Sequence, residues 1–173
     1  MGIIGSILGM FGFKSSNEAN PQMFQELHTM VFSLDPQELG LSKTDGLVWG
    51  LLMETGHSEG SFTLVALRDG TVSLYFSNGG GMIGIGQHET PREIASELLA
   101  LAPKYLSETS ITTNYPVPTA GLTRFYFLTF EGVRTVEGKE HDMGNNRHVL
   151  SPLFLKAHEL ISAARELDEA RQV

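Results

Sequence analysis

Apolar positions recur with two different periods along this chain, and the switches between them mark its elements. Over residues 21–31, Phe24, Leu27 and Val31 share one helical face, with Met23 and Met30 alongside. That three-to-four spacing predicts an amphipathic helix, and Asn20-Pro21 supplies its cap and first-turn proline. His28 borders the stripe and reads as a boundary histidine. Residues 47–54, LVWGLLME, are apolar at both odd and even positions, which predicts a central strand covered on both faces. The runs on either side of Asp69-Gly70 carry a two-residue hairpin signal. Such a turn pairs Leu67 with Val72, Val65 with Leu74 and Thr63 with Phe76.

The second half alternates in the same way. Ile94, Leu98 and Leu101 line a helix for which Thr90-Pro91-Arg92-Glu93 forms a capping box, and Pro103 ends or kinks it. Tyr115-Pro116-Val117-Pro118 favours extended backbone, after a short strand at 110–114. Residues 123–130, TRFYFLTF, predict an aromatic strand that turns at Glu131-Gly132 into 133–137. Residues 137–148 read as a polar loop. Ser151-Pro152 caps a last helix with Leu153, Ala157, Leu160, Ile161, Ala164 and Leu167 on its apolar face. The order predicts an α+β fold, with a mostly antiparallel sheet of five or six strands packed against three helices. It resembles, in element order alone, profilin-like and roadblock-like modules, which pair a five-stranded sheet with flanking helices. The roadblock pattern has two strands before its central helix, where three are read here.

One stretch departs from core patterning. Residues 79–86 read GGGMIGIG, between a strand end and a helix start. Gly79, Gly81 and Gly84 match GxGxxG formally. A dinucleotide fingerprint needs its last glycine to open the helix and an acidic residue ending the next strand. Here the expected cap, Thr90, lies six residues past Gly84, and 110–114 ends without Asp or Glu. A second reading holds an anion on the loop amides beside the helix start, with Gly79, Gly80, Gly81, Gly84, Gly86, His88 and Arg92 as its residues. The third is shape: glycines permit close backbone approach, and Met82, Ile83 and Ile85 contact apolar neighbours or a partner.

The start of the chain is apolar and glycine-rich. Gly2, Gly5, Gly9 and Gly12 lie on one helical face, a stripe that suits close helix approach. Residues 1–16 thus read as a separate segment for self-association or membrane-surface contact through 1–13, and 17–173 as one domain. No basic n-region precedes the apolar run, so a cleaved signal peptide is not expected. Met1-Gly2 with Ser6 also fits a myristoylation pattern.

Charge and composition narrow the chemistry. Twelve Lys and Arg against twenty Asp and Glu give a formal net charge of −8, and the chain has no cysteine. The acidic balance argues against nonspecific nucleic-acid binding, and thiolate metal sites and cysteine nucleophiles are excluded. Glu140, His141, Asp142 and His148, with His88, offer metal-ligand residue types, but in no known ligand spacing. GxSxG is absent. No cofactor or metal is expected. The sequence therefore predicts a noncatalytic, cytoplasmic binding or scaffolding module, peripheral to a membrane through 1–13, that self-associates or docks a protein partner. The alternative is a small ligand- or anion-binding protein or enzyme using the Gly79–Gly86 loop and the adjacent helix start.

Overall fold

Residues 20–172 are described by a computed structural model. The expectations for 1–16, including Gly2, Gly5, Gly9 and Gly12, lie outside the described residues. The strand that is apolar on both faces is β1 (Val48–His57), buried from Val48 to Gly56. It pairs antiparallel with β2 (Gly60–Leu67) on one side and β6 (Leu122–Thr129) on the other. Outside β2 lie β3 (Val72–Phe76) and the two-residue β4 (Gly81–Met82). Outside β6 lie β7 (Gly132–Lys139) and β5 (Ser110–Thr112). The result is a seven-stranded antiparallel sheet of order β4-β3-β2-β1-β6-β7-β5.

Both faces are covered, as the apolar run in β1 requires. The helix α1 (Pro21–Phe32) lies on one face over Leu52, Val65, Leu67, Tyr126 and Leu128. The helices α2 (Glu89–Leu101) and α4 (Ser151–Arg171) share the other, over Leu51, Met53, Leu64, Leu74, Phe125 and Phe127. Asn20 caps α1, its side chain accepting from the Gln22 amide at 3.1 Å.

The α+β class is as expected, but the counts differ. Among the described residues there are seven strands and four α-helices, against five or six and three. The extra strand β4 comes from the glycine run, where Gly81 lies against the β3 backbone. The extra helix α3 (Glu140–Gly144) is a five-residue turn with Met143 buried, too short to leave an apolar period. What reads as a polar loop from 137 is β7 continuing to Lys139 and then α3.

Three local expectations fail: the hairpin register, the cap at Thr90, and the cap at Ser151, which lies inside α4 with Leu150 at the cap position. The hairpin closes between Leu67 and Thr71, with the Leu67 amide donating to the Thr71 carbonyl. Its loop therefore has three residues. Asp69 Oδ1 accepts from the Thr71 amide at 2.9 Å, and Gly70 takes the left-handed conformation at φ 93°, a three-residue geometry. Leu64 thus faces Leu74 and Val65 faces Ser73, one residue away from the expected pairing. The helix α2 starts at Glu89 after His88, which makes no side-chain capping bond. Thr90 is inside its first turn.

Candidate functional site

A polar row crosses the sheet on the α1 face. Register places Tyr75 of β3 beside Thr63 of β2, Thr63 beside Glu54 of β1, Glu54 beside Arg124 of β6, and Arg124 beside Glu137 of β7. Directly paired residues share a face, so these five side chains form one continuous line on the face that carries α1. Glu54 is at its centre and has no solvent exposure. Its Oε1 accepts from the Thr63 hydroxyl at 3.1 Å and lies 2.7 Å from His28 Nε2 of α1. The His28 contact is at ion-pair distance but off hydrogen-bond direction. A buried carboxyl group demands polar partners.

The row continues through Arg124, which pairs with Glu137. Arg124 also donates to the Pro116 carbonyl at 2.7 Å, which accepts the Tyr126 hydroxyl at 2.8 Å as well. Burial pushes the Tyr126 phenol up to about 12, opposed by its bond to Arg124. Burial, reinforced by Glu54, raises the Tyr75 phenol well above its ordinary value. Among the described residues, Glu54 Oε2, Tyr75 Oη and Trp49 Nε1 are buried with no hydrogen-bond partner. Each such atom costs about 1–3 kcal/mol relative to a satisfied one. The sequence reading missed Glu54, taking it as the end of an apolar run. The signal was a carboxylate in the middle of a fully covered strand, with a histidine beside a helix's apolar stripe.

At the C-terminal end of α1 the same face opens into a groove of about 930 Å³. Phe32, Leu41 and Trp49 line one part of it, and Ile111, Phe130 and Val133 another. A second cleft of about 390 Å³ shares Lys43, Thr129, Phe130 and Glu131 with the first and adds Leu47. The two clefts therefore flank the β6–β7 turn as one surface. Leu47 and Ile111 on it are 63% and 55% exposed, against the usual burial of large apolar side chains. The strand β5 ends the sheet here, and its outer edge pairs with no described strand.

The residues singled out from the sequence lie elsewhere and do not converge. Gly79 has φ 97°, and a Cβ there would overlap the Asn20 backbone. Gly81 abuts Leu74 and Tyr75, and Gly86 abuts the Gly70 carbonyl. Gly84 caps a 3₁₀ turn at φ 71°, while Gly80 meets only Asn78 and Phe76 side chains. The run thus joins α1, β3 and the β2–β3 loop by close approach. Ile85 is buried in the core, and Met82 and Ile83 pack against it on opposite faces. His88 Nε2 lies 3.1 Å from an Arg171 nitrogen. Arg92 lines a separate cleft of about 330 Å³ with Arg68 and Asp69. Neither the groove nor this cleft is lined by any residue from 79 to 88.

His141 contacts Asn145 and Arg147, whereas His148 Nδ1 accepts from the Leu150 amide. Among the described residues no three His, Asp or Glu side chains gather as a metal site would require, and no helix is long and apolar enough to cross a membrane. In comparisons with known proteins, no family model, curated sequence or solved structure matches the chain.

Proposed function

We propose that the protein is a noncatalytic binding module that takes an extended, apolar segment of a protein partner in the groove beside β5. The observation that carries this is the placement of an open groove, with apolar patches among its polar walls, against an unpaired strand edge. An edge strand offers main-chain hydrogen bonds to an added strand, and adjoining pockets take alternate side chains. The exposed side chain of Leu47 extends the apolar contact from the groove into the second cleft. Charged groups at the rim, Asp35, Lys43 and Glu131, are of both signs, so the occupant is selected by apolar shape rather than by charge.

Panning a displayed peptide library against the full chain tests this. The expected binders carry alternating apolar residues and perturb the amide resonances of Ile111, Phe130 and Leu41. Binding should be lost in Phe130→Asp. Binders that perturb another surface, or no binder tighter than about millimolar, would overturn the reading. A second copy of the chain is the other outcome: light scattering would then show a dimer that Ile111→Asp dissociates.

A further inference from the structure

We infer that α1 is a releasable cover, latched over the sheet by the His28–Glu54 contact, and that it lifts while the rest of the fold stays closed. The two faces of the sheet are held unequally. On one face, α4 buries eight side chains and α2 five, and Lys156 of α4 joins Glu97 of α2 at 2.8 Å. On the other, α1 buries only Phe24, Leu27 and Val31. Its remaining hold comes from the half-buried Met23, Met30 and Phe32 against the same cluster, from Phe24 on Tyr75 and Phe32 on Tyr115 and Tyr126, from the close approach of Gly79 to Asn20, and from His28 on Glu54.

What α1 covers is suited to exposure. A permanent core interface leaves few buried polar atoms without partners. Here Glu54 Oε2, Tyr75 Oη and Trp49 Nε1 belong to the layer under α1, and none has a partner among the described residues. Each regains water when the helix lifts, which offsets part of the cost of opening. The charged groups in line with the latch, Arg124 and Glu137, already pair with each other on the sheet, so they do not hold the helix. His28 is thus the one described side chain of α1 at ion-pair distance from the sheet. Lifting α1 also removes Val31 and Phe32 from the groove wall, turning the groove into an open sheet face. The cover stands whether or not a peptide occupies that groove.

Hydrogen exchange on the full chain tests the inference, because locally opening units exchange independently of the global fold. Amides of Leu27–Val31 are expected to exchange at least about tenfold faster than those of Leu51–Met53 and Phe125–Leu128. Glu54→Gln and His28→Gln destabilise the closed state alone and should accelerate helix and sheet amides in parallel. Leu160→Ala in α4, buried in the opposite core, destabilises the closed and lifted states together and should accelerate the sheet amides while leaving the helix amides unchanged. Equal rates for helix and sheet in the unaltered chain would overturn the inference. So would a Leu160→Ala chain whose helix and sheet amides lose protection in parallel, or a His28→Gln chain whose helix amides keep theirs. Should Glu54→Gln fail to fold, the unaltered chain and His28→Gln still decide the matter.

Discussion

Glu54 shows how one side chain can set terms for its neighbours. Its carboxyl group is fully buried, so it depends on His28 and Thr63 for polar contact. Removing one partner of a buried pair strands the other. His28→Ala is therefore expected to lower unfolding free energy by about 3 kcal/mol, read from urea denaturation. Replacing both, as His28→Leu with Glu54→Leu, should recover most of that loss, because a well-packed apolar pair avoids the desolvation cost. A double variant less stable than the single one would show that the contact is net stabilising.

His158 makes a second prediction at this scale. It packs on Phe154 at 4.3 Å between ring centroids and near Phe62. Burial lowers its pKa below the ordinary 6.5, with Glu140 opposing and His57 reinforcing the shift. The unfolded chain therefore binds the proton more readily. The penalty is absent above pH 6.5, grows as pH falls through the window below it, and is complete once pH passes the folded value. Urea midpoints should drop from pH 7.5 to pH 5, and His158→Gln should flatten that part of the slope.

At the scale of elements, the glycine run acts as a joint. Gly79 sets the β3–β4 turn against the start of α1, where a Cβ would meet main chain. Gly79→Ala is expected to cost more than about 2 kcal/mol, combining left-handed strain with overlap. Gly40→Ala, at φ 73° in open space, should cost about 1 kcal/mol from conformation alone. Thermal unfolding of the two variants separates these contributions.

The element order and the central place of β1 were legible because they rest on local periodicity. The hairpin register was not. With helices on both faces, Val65 and Leu67 are buried against α1 while Leu64 and Ala66 are buried against α2 and α4. A one-residue slip then exchanges one apolar set for another, and patterning cannot arbitrate. The turn chemistry decides instead, through the Asp69 bond to the Thr71 amide. The polar row was hidden for a different reason. Tyr75, Thr63, Glu54, Arg124 and Glu137 come from five strands, and only register brings them side by side. The groove is likewise assembled from the 32–43 segment, β5 and the β6–β7 turn, none of which carries a motif of its own.

Taken whole, the molecule is asymmetric. Among the described residues, one face of the sheet is closed by two interlocked helices, α2 and α4, and the other by α1 alone, with the groove at the β5 end. Surface changes at that end should separate binding from folding. Ile111→Asp is expected to alter stability by less than about 0.5 kcal/mol, since it breaks no buried contact. It should weaken the selected peptides by about tenfold or more, as loss of an apolar anchor does. Titration calorimetry beside urea denaturation would show both.

The margins of the sheet carry a last consequence. At one side it ends in the two residues of β4, and at the other in the three residues of β5. Long unpaired margins invite molecule after molecule to add on and grow filaments. Stubs of this size offer too few main-chain groups to propagate such growth, while three are enough to orient a single incoming peptide. Concentrated solutions of the folded chain should therefore stay clear and fail to bind amyloid dyes.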